Sequence, residues 1–102
     1  MTTTYDSVIE EVRTDYSVAP YVSDDTLKRY AAEGGAALSR LVIYADFDND
    51  LVARSLLKNY IYYALNLVTN EFWENYRADI LQWQWAHSED GEDVDKTMVI
   101  RP

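Results

Sequence analysis

Four stretches of this chain repeat apolar residues at three- and four-residue steps, and only three glycines and two prolines interrupt its 102 residues. That spacing gathers side chains on one face of an α-helix, whereas strand-and-turn architectures ordinarily need more turn residues. In the first stretch, residues 5–14, one face carries Tyr5, Val8, Ile9 and Val12 and continues to Tyr16, with Thr4 as candidate N-cap. Pro20 disfavours helix at Ala19, so residues 17–22 read as a connection. Ser23 then caps a second helix whose first turn holds Asp24 and Asp25. Its apolar face, with Leu27, Tyr30, Ala31, Gly34, Leu38, Leu41 and Val42, runs to residue 43. Gly34-Gly35 in mid-helix costs about 1 kcal/mol per glycine against alanine. The pair marks either close approach of a neighbouring helix or a break into two shorter helices; a continuous helix with a close neighbour is expected.

Asp46-Phe47-Asp48-Asn49-Asp50 reads as a turn ending in a cap, with Asp48 or Asn49 the capping residue. A third helix over residues 49–67 carries Leu51, Val52, Leu56, Tyr60, Tyr63, Ala64 and Leu67. Leu57 and Ile61 widen its face, which makes it the expected centre of the bundle. Asn70 caps a fourth segment with Phe72, Tyr76, Ile80 and Trp83 on the buried face, widened by Trp73 and Leu81, ending at residues 85–86. The boundary at Thr69-Asn70 is also compatible with one long bent helix. The expected fold is all-α: a small helical bundle of about four helices over residues 1–87, with an acidic linker and an extended C-terminal tail over residues 88–102. The linker, Ser88-Glu89-Asp90-Gly91-Glu92-Asp93-Val94-Asp95, has no core-forming pattern. It leads to a short β-prone segment, Thr97-Met98-Val99-Ile100-Arg101.

A chain of this length and 48% apolar content forms one domain with a modest core. Without cysteine it can form no disulfide, thiolate–zinc or iron–sulfur site. Its N-terminus lacks the basic region and apolar core of a signal peptide, and no apolar run is long enough to span a bilayer. Nine basic against eighteen acidic residues give a net charge of −9. Such a surface repels duplex DNA and anionic membranes. Nine tyrosines and three tryptophans, by contrast, suit surfaces where proteins meet.

Few residues suggest chemistry. Asp46-x-Asp48-x-Asp50 begins like a calcium loop, but Leu51 and Leu57 stand where the loop needs glycine and glutamate. His87, the sole histidine, is expected in solvent or at a helix C-terminal turn. Glu10-Glu11 and Asp24-Asp25 diverge on a helix and read as solvated faces or dipole partners. No catalytic residue, metal or cofactor is therefore expected. Tyr60, Tyr62 and Tyr63 surround a helix, so they either rim the core or reach a second surface. Trp83 and Trp85 point about 200° apart on a helix. At most one shares the core face with Ile80, and the other is expected to meet a partner.

The order of these features resembles the head–tail connector (adaptor, or head-completion) family of tailed phages, over most of residues 5–86. The resemblance rests on the helix opened by Ser23-Asp24-Asp25-Thr26-Leu27, on Tyr63-Ala64-Leu65-Asn66 closing the third helix, and on the Phe72 to Tyr76 spacing of the last segment. The tryptophan-rich helix end and the acidic tail depart from many relatives. The resemblance implies a homo-oligomeric, dodecameric ring in the virion, below the portal protein and above a stopper or tail-completion protein, with DNA passing through the lumen without sequence-specific binding. Subunit contacts are expected from Tyr62, Trp73 and whichever of Trp83 and Trp85 lies outside the core. Thr97, Met98, Val99, Ile100 and Arg101 are the expected portal-docking tail, adding a strand to a sheet edge. Charge and size also fit an acidic DNA-mimic inhibitor of a host nucleic-acid-binding protein. Against that, a mimic needs ordered carboxylates and few surplus aromatics, and five of the acids here fall in the linker.

Overall fold

Each amphipathic stretch becomes helix, and the differences from expectation lie at the helix ends and in the division of the fourth stretch, which makes five helices where about four are expected. The computed structural model describes residues 4–91, which form five helices and no strand. They are α1 (Thr4–Asp15), α2 (Asp24–Ser39), α3 (Leu51–Leu65), α4 (Thr69–Asn75) and α5 (Arg77–Gly91). The segment Thr97-Met98-Val99-Ile100-Arg101 lies outside the described residues.

The hydrophobic pattern dictates the packing. Val8 and Val12 of α1, Leu27, Ala31 and Leu38 of α2, and Leu57 and Ile61 of α3 are fully buried. Helix α3 packs against all four other helices, as its widened apolar face requires. Helix α2 runs unbroken through its two glycines. A Cβ on Gly34 would stand 2.5 Å from Cδ1 of Tyr60 and 3.0 Å from Cδ1 of Leu57, so absence of a side chain lets α2 and α3 close together. Ser23 caps α2 as expected, its Oγ accepting from the Thr26 amide at 3.1 Å.

Several boundaries differ. Helix α2 stops at Ser39, short of residue 43, because Val42 and Phe47 turn back into the core at 4% and 6% exposure. Leu41 is thereby turned outward. Asp50, not Asp48 or Asn49, caps α3: its Oδ1 accepts from the amides of Val52 at 3.0 Å and Ala53 at 3.4 Å. Leu51 and Val52 fall in the first turn of α3, where they are exposed rather than buried. Helix α3 closes with Leu67 in the left-handed region (φ 61) while the Val68 amide donates to Tyr63 O at 3.0 Å. This turn separates the third and fourth segments, and Val68 rather than Asn70 takes the N-cap position, with no side-chain cap hydrogen bond.

The fourth segment divides at Tyr76, whose backbone (φ −107, ψ 15) leaves the helical region. The rings of Phe72, Trp73 and Tyr76 pack around Tyr60 and Tyr63 of α3, with centroids 4.9–5.9 Å apart. The break lets α4 follow this cluster while α5 turns Ile80 and Trp83 into the core. Helix α5 then continues to Gly91, past the residue 86 at which the apolar pattern ends.

An ionic cluster ties α1 to α3. Buried Arg54 donates from Nε to both carboxylate oxygens of Glu11 at 3.1 Å, from a terminal nitrogen to Phe47 O at 2.9 Å, and to Ser7 Oγ. Lys58 bridges Glu11 at 3.1 Å and Asp15 at 2.7 Å. Hydrogen bonds from Arg54 first, then from Lys58, lower the Glu11 pKa from 4.5 to about 2. Glu11 is therefore an interhelical partner and not a solvated face. On the other side of α1, Arg13 donates to Asp24 at 2.8 Å, joining α1 to the start of α2.

Candidate functional site

Helix α5 is apolar on two opposite sides. Ile80 and Trp83 face the bundle at 6% and 3% exposure, while Leu81 and Trp85 are 51% and 72% exposed. At 100° per residue, Leu81 and Trp85 form one ridge directed away from the core. A helix serving only its own domain presents a polar outer face.

Its inner side is held by a shared carboxylate. Asp50, already capping α3, accepts at Oδ2 from the Trp83 indole N–H at 2.9 Å. His87 Nε2 lies 3.2 Å from that same oxygen, its Nδ1 lies 3.0 Å from Trp83 O, and its ring packs edge-on against Trp83. His87 is thus half-buried in an interhelical contact rather than standing in solvent. Asp46, the first acid of the calcium-like spacing, accepts at Oδ1 from the amides of Asp48 and Asn49 at 3.0 and 3.1 Å. The Asn49 side-chain amide, donating to Oδ2 at 3.0 Å, lowers the Asp46 pKa, and these backbone bonds add to the effect. The spacing therefore builds a turn and a cap. Among the described residues, no three His, Asp or Glu side chains are grouped to hold a metal ion.

Two surfaces flank α5. On one side a groove of about 550 Å3 runs between the start of α3 and the stretch of α5 from Asp79 to His87, lined by Leu51, Val52, Tyr76, Asp79, Gln82 and Ala86 among others. On the other side Gln84 Nε2 donates to Leu41 O at 3.2 Å, seating the turn after α2 against the helix. That turn exposes Arg40, Leu41, Ile43 (74%) and Tyr44 (94%). Tyr44 adopts φ 64, a left-handed conformation costly for a bulky side chain.

The expected contact residues separate into different environments. Trp83 is in the core and Trp85 is exposed, so the pair divides as its spacing requires. Tyr62 is 40% exposed but stacks on Tyr16 at 4.7 Å. Trp73 is half-buried against Tyr60 and Phe72, in the aromatic cluster. Only Trp85 of the four combines high exposure with freedom from these ring contacts. The groove and the turn carry further exposed apolar residues, Ile43, Tyr44, Leu51 and Val52, which helical periodicity gave no means of singling out. None of the described helices is long and apolar enough to cross a membrane. No protein-family model, curated protein or solved structure matches the chain.

Proposed function

We propose that the chain is a structural subunit of a phage head–tail connector, assembling as a homo-oligomeric ring between portal and tail in the virion. The observation that carries this reading is the outward apolar ridge of α5, Leu81 and Trp85. Contiguous apolar exposure on a small domain marks a surface that a partner covers. The connector-like order of helices in the sequence supplies the class of partner.

In this role the protein performs no chemistry. A ring of subunits, each with net charge −9, lines the path of the genome with on the order of a hundred negative charges, which repel DNA and let it slide. The segment Thr97, Met98, Val99, Ile100 and Arg101 docks on the portal, each weak contact multiplied by the copies in the ring. A stopper or tail-completion protein binds the opposite rim.

Negative-stain microscopy of the full chain, alone and bound to portal-bearing heads, tests the proposal. Rings with a central channel are expected. A protein that stays monomeric in both settings, and instead competes with duplex DNA for a basic host protein, would establish the DNA-mimic reading.

A further inference from the structure

The two flanks of α5 complement each other. Gln82 and Gln84, two residues apart, point about 200° apart. One lines the groove and the other holds the turn after α2, so groove and turn lie on opposite sides of the helix. The turn is a projecting apolar knob with a cation at its base: Arg40, Leu41, Ile43 and Tyr44 are exposed while Val42 anchors it in the core at 4% exposure. The groove is an apolar trough, lined by the buried Leu56 and Trp83 and the exposed Leu51, Val52 and Ala86, and it carries the exposed carboxylate of Asp79. Knob and trough are thus both apolar and carry opposite charges, Arg40 on one and Asp79 on the other.

The backbone supplies an independent observation. Tyr44 holds a left-handed conformation although its side chain is 94% exposed. Strain of this kind persists where the surroundings or a function maintain it. Little contact within the subunit repays it, whereas a ring seated in another molecule would.

From these observations we infer that the occupant of the groove is a second copy of this chain, whose turn over residues 40–44 inserts Ile43 and Tyr44 between α3 and α5. The inference rests on the ring-subunit reading and names the contact that would build the ring. Because the two patches face opposite ways, the contact is head-to-tail and continues from copy to copy until the rotation closes. Anchoring by Val42 and Gln84 presents the knob in a fixed shape, which lowers the ordering entropy lost on association.

The absence of native cysteine makes a covalent test specific. Under mild oxidation, a chain carrying both Tyr44→Cys and Val52→Cys should yield a ladder of disulfide-linked species ending at the closed ring. An equimolar mixture of the two single variants should stop at dimers. A control with Tyr21→Cys and Val52→Cys, Tyr21 being 89% exposed on the connection before α2, should give no ladder. Separately, Tyr44→Ser should weaken self-association measured by sedimentation about tenfold or more with an unchanged melting temperature. A double variant that yields only dimers overturns the head-to-tail contact, and one that yields no product overturns the contact altogether. Rings of the unmodified chain alongside either result preserve the connector reading while removing this interface. A ladder from a protein that never forms rings keeps the interface and removes the connector reading.

Discussion

Glu11 shows how one carboxylate couples the first helix to the third. Its pKa falls from 4.5 to about 2 because Arg54 and Lys58 bond its charged form. A depressed pKa means stability that is complete above pH 4.5 and lost as pH falls toward 2. The Glu11 side chain is 43% exposed, so solvent screening limits the effect to about 1 kcal/mol. Glu11→Gln should lower stability by roughly that amount at pH 7 and flatten the acid limb between pH 4.5 and 2, measured by urea unfolding across pH. The glycine pair offers a sharper contrast. Gly34→Ala gains about 1 kcal/mol of helix propensity but forces Tyr60 and Leu57 aside, at about 1–3 kcal/mol, so a lower melting temperature is expected. At Gly35 the Cβ would meet the Tyr5 hydroxyl, the free end of a side chain that can swing away. Gly35→Ala should therefore be close to neutral or stabilising in the same thermal scan.

Among the helices, Asp50 joins α3 to α5 by accepting from two α3 amides and from Trp83. Asp50→Ala should cost about 1–2 kcal/mol through the lost cap and about 1 kcal/mol more through the orphaned indole N–H. Hydrogen exchange should quicken in α5 as well as in the first turn of α3. Protection of α5 equal to that of the unmodified chain would show that the Trp83 bond contributes nothing to holding it. The existence of these helices was legible in the sequence, because apolar period, the Ser23 cap and scarce turn residues all agree. Their ends were not. Val42 and Phe47 stop α2 by burying themselves in the core, and the ring cluster of Phe72, Trp73 and Tyr76 divides the last segment. Both are tertiary effects that local spacing cannot encode. The division of Trp83 from Trp85 was readable from spacing. The groove was not, since Leu51 and Val52 continue the core period of α3 yet protrude at its first turn.

As a whole, the chain combines exposed apolar patches on α5 and on the turn after α2 with a net charge of −9. The first favours association and the second opposes it. Salt screens the repulsion, the Debye length falling from about 30 Å at 0.01 M to about 8 Å at 0.15 M. Self-association should therefore strengthen with salt over that range, as read by sedimentation velocity; a decline would place attractive ion pairs in control. Replacing Leu81 and Trp85 by Ser should change unfolding free energy by no more than about 0.5 kcal/mol each while weakening the binding of a partner to the outer ridge, since these side chains are 51% and 72% exposed. The three tryptophans also stand at three depths: Trp83 in the core, Trp73 half-covered, Trp85 in water. Indole emission shifts to shorter wavelength as water leaves the ring. The molecule accordingly carries its own optical gauge: unfolding should redden the light from Trp83, and burial of the outer ridge should turn the light from Trp85 blue.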